Sequence, residues 1–368
     1  MARLGRLPKG GGHLIDLLDS TRLTGRGGAA FPVGRKWHAV AASRGSAVVV
    51  VNGAEGEPHS KKDRHLMTSR PHLILDGALL AAASVRANQV VLYIGEGHHA
   101  ALRCMSDAVA ERAPNERRMI RIVTAPARYV AGDSSATVHL VDAGIATPTT
   151  APPSPRERGV GGAATLVQNV ETLAHVALIA RTGLASDTVL ITVAGGARTP
   201  GVLEVQLGTP LGEAIQLAGG PTEAPRAVLL GGYFGQWVAP ADAWSLPLDP
   251  QALRAHGLSL GCGVIGVLPG SRCPVCEVAG IMRYLASESS AQCGPCFFGL
   301  RALADACTRI AERGTDPGDL QRLQRWSAEV EGRGACKHPD GAVMFLRSAM
   351  KTFGDDFAQH PAHMRQTA

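Results

Sequence analysis

Residues 47–94 decide the fold: AVVVV at Ala47–Val51 is followed by PHLILDGALLAAASVRA at Pro71–Ala87 and then QVVLYI at Gln89–Ile94. The two outer runs are short, apolar and rich in β-branched residues, as strands covered on both faces require. The middle run carries its apolar residues at helical spacing. A second helical stretch, His98–Arg112, and a third apolar run, MIRIV at Met119–Val123, continue the alternation. Strands alternating with helices imply a layered α/β domain, placed at residues 1–183. Within it, Gly144–Gly162 is rich in Pro, Thr and Gly and reads as a long surface loop suited to covering a site.

The texture then changes. TVLITVAG from Thr188, GVLEVQLG from Gly201 and APRAVLLGG from Ala224 are short strands, punctuated by Pro200-Gly201 and Gly219-Gly220-Pro221. With one helix at Pro210–Ala218 they suggest a small β-rich domain over residues 184–262. Beyond Pro269 the pattern is helical, at Pro274–Ser287, Phe298–Arg313, Pro317–Val330 and Gly341–Phe353, giving a third, helical domain over residues 263–368.

Composition excludes several classes. With 368 residues and 45% apolar side chains the chain can bury real cores. No apolar run reaches the roughly 18–20 residues of a bilayer span, and Leu73–Val85 is broken by Asp76 and Gly77. Arg3, Arg6 and Lys9 are followed by glycines, Asp16 and Asp19 rather than an apolar core, so a secretory signal is not expected and a cytoplasmic, reducing setting is. The net charge of +6 is scattered and aromatics are only 4%, so the basic balance reads as a solvated face and no nucleic-acid partner is expected.

The eight cysteines are uneven: Cys104 stands alone before a group of seven from Cys262 to Cys336. In a reducing compartment such a group reads as ligands before disulfides. Cys273-x2-Cys276 with Cys293-x2-Cys296 has zinc spacing, but the helix between the pairs would run about 20 Å, too far for four sulfurs to reach one ion. Cys293, Cys296 and the distant Cys336 instead suit an iron–sulfur cluster, and Ser290 extends the run to Ser-x2-Cys-x2-Cys. Cys262, Cys276 and Cys307 read as buried thiols.

One long motif carries a family resemblance. Thr24-Gly25-Arg26-Gly27-Gly28-Ala29-Ala30-Phe31-Pro32-Val33-Gly34-Arg35-Lys36-Trp37 resembles the flavin loop of the NADH-binding flavoprotein subunit of respiratory complex I and of related hydrogenase and formate dehydrogenase subunits. Asn52-Gly53-Ala54-Glu55-Gly56-Glu57-Pro58, Lys62-Asp63-Arg64, Tyr129 with Gly132, and Gln168-Asn169-Val170-Glu171-Thr172 follow in the family's order. The middle domain is similar to that family's β-grasp, soluble-ligand-binding module.

The resemblance implies bound FMN, a [4Fe-4S] cluster and NADH as electron donor. Gly25, Gly27, Gly28 and Lys36 would line the flavin, Asn52, Glu55 and Gly132 would hold its ring and ribityl chain, and Asn169 with Thr172 would lie near the phosphate. Phe31 and Glu57 are what remains of the NADH pocket. Cys293, Cys296, Cys336 and Ser290 would hold the cluster.

Three departures weaken the nucleotide pocket. Asp133-Ser134 replaces an acidic pair, His38-Ala39 stands where an aromatic is expected, and Ala151-Pro152-Pro153-Ser154-Pro155 lacks both the cation and the aromatic of the family segment. Ser290 replaces the first cluster cysteine; as a harder ligand it would make the cluster labile or favour a [3Fe-4S] form. Cys273, Cys276 and His338 are weaker candidates for that place. The expectation is therefore a flavin and iron–sulfur oxidoreductase passing electrons from NADH to a ferredoxin-like or other iron–sulfur partner. An NADH-independent relay between ferredoxin-like partners and a non-redox zinc-binding scaffold are the alternatives.

Overall fold

The computed structural model of the chain describes residues 7–362; residues 1–6, which include Arg3 and Arg6 of the N-terminal reading, lie outside the described residues, as do 363–368. The chain divides into two units, residues 1–190 and 191–368.

In the first unit the Val-rich runs become the strands β1 (Ala47–Gly53), β2 (Ala87–Gly95) and β3 (Ile120–Ala125), joined by β4 (Thr165–Asn169). All four are parallel, in the order β3-β2-β1-β4. The helices are α1 (Gly12–Ser20), α2 (Val33–Ala41), α3 (Lys62–Ser69), α4 (Pro71–Val85), α5 (His99–Ala110), α6 (Pro114–Met119), α7 (Ser134–Ala143) and α8 (Val170–Thr182).

Strand β1 shows why its sequence does not alternate. Val49 and Val51 pack into a core with Leu75 and Ala78 of α4 and Leu173 and Val176 of α8. Val48 and Val50 face a second core with Val91 and Tyr93. Both faces are covered, so every position is apolar. Helix α4 starts with Pro71 and stops at left-handed Arg86 (φ 57°). It can approach α8 so closely because Gly77 has no side chain: a Cβ there would lie 1.9 Å from the Leu173 carbonyl oxygen.

The second sheet has the order β6-β5-β9-β7-β8, from β5 (Thr188–Gly195), β6 (Gly201–Gln206), β7 (Pro225–Leu230), β8 (Gln236–Val238) and β9 (Val264–Pro269). Helices α9 (Leu211–Leu217), α10 (Pro240–Ala243) and α11 (Pro250–Ala255) lie between these strands in sequence. Strand β9 pairs with both β5 and β7, so the β-rich region runs to Pro269, past residue 262. A helical segment follows: α12 (Pro274–Ser287), α13 (Arg301–Arg313), α14 (Pro317–Val330), α15 (His338–Thr352) and α16 (Gly354–Gln359). A π-helical turn at Pro295–Leu300 leads into α13. Among the described residues no helix is long and apolar enough to cross a membrane.

Candidate functional site

The order β3-β2-β1-β4 contains a topological switch point. The chain leaves β1 towards β2 on one side and returns on the other as β4, so the connections diverge above the carboxyl ends of β1 and β4. Such crevices are where open α/β sheets bind ligands. Asn52 and Asn169 stand there as register partners. Asn52 donates from Nδ2 to the Gly132 carbonyl (2.9 Å), and Asn169 Oδ1 caps α8 by accepting from the Glu171 amide (3.0 Å).

The glycine loop is pinned above these ends. Thr24 and Pro32 bridge its base, the Gly25 amide donates to the Phe31 carbonyl (2.9 Å), and the Arg26 amide donates to Thr172 Oγ1 (2.9 Å). Gly27 runs so close to Asn169 that a Cβ would meet the Asn169 Cβ at 3.2 Å, and Gly28 has φ 113°. A loop held this way presents backbone, not side chains, to a planar ligand. The Lys36 amine reaches beneath it to the Val167 carbonyl. Burial of that amine, with Arg156 adding repulsion, pulls Lys36 down to about 8.

A charged network underlies the crevice. Lys62, 2% exposed, bridges Asp63 Oδ1 (2.6 Å) and Glu171 Oε2 (2.8 Å), and Asp63 Oδ2 accepts from Asn169 Nδ2 (2.7 Å). Burial would raise Glu171, but the Lys62 charge and His175 outweigh it and bring it to about 2. Asp63, buried and facing Glu55 and Glu171 as well as Lys62, is pushed up to about 6. Glu55 accepts from Ser60 Oγ, the Asp63 and Arg64 amides and Arg64 Nε, at 2.7–3.0 Å. Burial opposes its charge, yet these bonds hold it below the usual carboxylate range. Four donors converge on this carboxylate, so Glu55 ties down the start of α3.

At the mouth, Phe31 is 40% exposed and the Arg156 and Arg35 guanidinium carbons lie 5.2 and 5.9 Å from its ring centroid. Glu57 is buried and accepts from Tyr129 Oη (3.0 Å). Asp133 accepts from the Ser135 and Ala136 amides at 2.8 and 3.1 Å, as the cap of α7.

In the second unit, Cys293 and Cys296 flank the entry to the π-helical turn, where the Phe297 amide donates to the Cys293 carbonyl (2.9 Å). Cys296 is buried; burial, with the nearby Cys293 and Cys336 sulfurs, pushes its thiol to about 12. Ser290 is half-buried on the turn after α12, and left-handed Ala291 (φ 53°) reverses the chain between it and Cys293. His338 Nε2 lies 2.7 Å from the Leu285 carbonyl, which can only accept, so that nitrogen carries its proton and is spent. Cys307 is fully buried in α13, and Cys262 Sγ contacts the Gly231 carbonyl (3.3 Å). Helix α12 runs unbroken from Pro274 to Ser287, separating Cys273 and Cys276 from the Cys293 turn.

Three family models match the chain: the Nuo51 FMN-binding domain at residues 18–178, an SLBB domain at 190–232, and the NADH-ubiquinone oxidoreductase-F iron–sulfur binding region at 277–360. The second F-type subunit of NADH-quinone oxidoreductase from Rhizobium meliloti is 31% identical, over 95% of this chain and 88% of that protein. The chain belongs to the family of F-type NADH-quinone oxidoreductase subunits. The Salmonella typhimurium member is 29% identical, over 94% of this chain and 83% of its own length. Among solved structures, NAD+-reducing [NiFe]-hydrogenase in the H2-reduced state matches with a TM-score of 0.83 at 28% identity, and in the air-oxidized state with 0.85 at 26%. These matches cover 94% and 96% of this chain but only 61% and 64% of the hydrogenase chains.

The residues fit the groups this family implies. For FMN there is a side-chain-free cradle at Gly27, with Lys36 and Arg156 supplying positive charge. For the cluster there are three sulfurs in one neighbourhood, Cys293, Cys296 and Cys336. Sequence reasoning missed Arg156, which the Gly144–Gly162 loop brings onto Phe31, and the Lys62 network. It also missed His98, held below the usual imidazole range by burial and by Arg64. The motif Lys62-Asp63-Arg64 was the signal for the network; nothing in the sequence pointed to Arg156.

Proposed function

We propose that this chain is a flavin and iron–sulfur oxidoreductase that takes electrons from NADH and delivers them to an iron–sulfur partner protein or ferredoxin. The carrying observation is the pair Asn52 and Asn169, side by side at the switch point beneath the pinned glycine loop. FMN, when bound, exchanges electrons in pairs with a nicotinamide and singly with a cluster. The chain's own residues bind and orient. Gly25, Gly27, Gly28 and Lys36 would line the flavin, Asn52, Glu55 and Gly132 would hold its ring and ribityl chain, and Asn169 with Thr172 would bind near the phosphate. Phe31 with Arg156 offers a face and a cation to the dinucleotide, with Glu57 behind them. Cys293, Cys296, Cys336 and Ser290 would hold the cluster. The work divides over the expected parts 1–183, 184–262 and 263–368, with the second boundary moved past β9 to Pro269, and its setting is cytoplasmic.

One observation favours a relay without NADH: Ser134 stands where the resemblance expects the second, NADH-binding acid, and the neighbouring Asp133 is engaged in capping α7. Anaerobic purification distinguishes the readings. About one FMN and four irons per chain, with flavin absorbance bleached by NADH, support the first. FMN and iron without bleaching support the relay, and zinc without flavin or acid-labile sulfide overturns both.

A further inference from the structure

At the far end of α12 from Cys293, three ligand atoms converge that the electron-transfer reading does not use. Cys273 Sγ, Cys276 Sγ and His360 Nδ1 all lie within 4.8 Å of one another, and no other three His, Cys or carboxylate groups among the described residues do so. We propose that these three residues bind a single Zn2+ ion, separate from the iron–sulfur site, with water at the fourth position.

The geometry carries this. Cys273 is the N-cap of α12 and its sulfur accepts from the Cys276 amide (3.3 Å), so both thiols sit on one helical turn and that amide favours charge on Cys273; burial and the neighbouring Cys273 push the Cys276 thiol up, and a bound cation would offset this. His360 is 9% exposed and held from three directions. Its amide donates to Thr315 Oγ1 (3.0 Å), its carbonyl accepts from the Thr315 amide (3.0 Å), and its ring Nε2 lies 3.2 Å from the Ala311 carbonyl. A carbonyl only accepts, so Nε2 carries the proton and Nδ1 presents its lone pair, 4.0 Å from Cys273 Sγ. A backbone carbonyl fixing the second ring nitrogen is the usual support of a metal-binding histidine. Zn–S and Zn–N bonds of about 2.3 and 2.0 Å at tetrahedral angles put sulfur and nitrogen about 3.5 Å and the two sulfurs about 3.8 Å apart, so closure by about half an ångström between Cys273 and His360, and by at most about 1.3 Å elsewhere, completes the site.

The donor set selects the ion. Two thiolates and a neutral imidazole balance the charge of one dication, and two sulfurs with one ring nitrogen, being borderline-soft, suit zinc rather than magnesium or calcium. Binding releases two thiol protons to solvent and changes no oxidation state. Cys273 and Cys276 are half-buried, which leaves room for the water. The ion would tie the start of α12 to the chain after α16, and through Thr315 and Ala311 to the α13–α14 connection. The 14 residues of α12 put it about 20 Å from the Cys293 turn, outside the cluster.

The test uses the full flavin- and iron-loaded chain made in zinc-poor medium and titrated anaerobically with Co2+, then with Zn2+. The expected result is one equivalent of Co2+ with intense near-ultraviolet thiolate-to-cobalt bands, displaced by one Zn2+. Cys276→Ser should abolish the bands and His360→Ala should weaken Zn2+ binding at least tenfold, with iron and FMN content unchanged. In case a variant fails to fold, Zn2+ should slow alkylation of Cys273 and Cys276 in the unaltered chain at least tenfold while leaving Cys262 unaffected. Absence of thiolate bands, their loss in Cys293→Ser instead of Cys276→Ser, alkylation unaffected by Zn2+, or a Cys273–Cys276 disulfide in the anaerobic protein would each overturn the site. Because the readout is zinc and thiol chemistry, its failure is independent of whether NADH bleaches the flavin.

Discussion

Replacing Lys62 by methionine keeps the side chain's length and apolar stem but removes the cation held between Asp63 (2.6 Å) and Glu171 (2.8 Å). Breaking a buried ion pair by removing one partner typically costs about 3–5 kcal/mol. Linkage gives the same scale. Glu171 is brought from 4.5 to about 2, and a drop of that size is worth about 3 kcal/mol. A depressed carboxylate contributes stability that is present above its unfolded value and lost as pH falls through its folded one. Asp63 has the opposite sign: raised from 3.8 to about 6, it costs stability above pH 6 and is relieved as it takes up a proton below. Without Lys62 both acids are harder to ionise, so the Lys62→Met deficit should be about 3–5 kcal/mol at pH 7.5 and shrink towards pH 5.5 as protons neutralise them. Urea unfolding followed by bound-flavin fluorescence measures it. Because Asp63 also holds Asn169 (2.7 Å), the Kd for FMN should rise at least about tenfold. A deficit below about 1 kcal/mol, or one independent of pH between 5.5 and 8, would refute the reasoning.

Four further outcomes follow from the geometry. Gly27→Ala should weaken FMN retention on gel filtration while leaving far-ultraviolet circular dichroism unchanged, because the added Cβ meets Asn169 at 3.2 Å and Asn169 must shift by a few tenths of an ångström. The Kd for FMN should rise as pH passes about 8, where Lys36 gives up the proton that favours a phosphate, and titration of Lys36→Met should show no such step. Arg156→Ala should raise the KM for NADH about 2–30-fold at constant FMN content, the range of one cation over an aromatic face. Ser290→Cys should keep the fold and raise iron per chain; unchanged iron would place Ser290 away from the cluster.

The strands at 47, 89 and 119 are legible in the sequence because burial on both faces demands unbroken apolar runs, a local property of composition. Strand β4 is not: TLVQN is short and ends in the polar pair the site needs. Strand β9 is equally hidden, since only its partners β5 and β7 show that it sits inside a sheet. Glu55 reads as a flavin ligand through the family resemblance alone; that four donors from residues 60–64 also converge on it is visible only in the structure. Cys276 reads as an ordinary thiol because its nearest chemical companion outside its own turn, His360, is 84 positions away.

By itself the sequence determined the alternation of strands and helices, the order of the glycine, asparagine and cysteine motifs, and the Ser290-x2-Cys293-x2-Cys296 spacing. These depend on residue type and short spacing. The tertiary structure alone decided which strand lies beside β1, and so that Asn52 and Asn169 share a crevice; that Arg156 reaches Phe31; and that a histidine near the C-terminus faces a cysteine pair. Each of these is a contact between distant positions, settled by how the elements bury their apolar faces against one another, which no local pattern records.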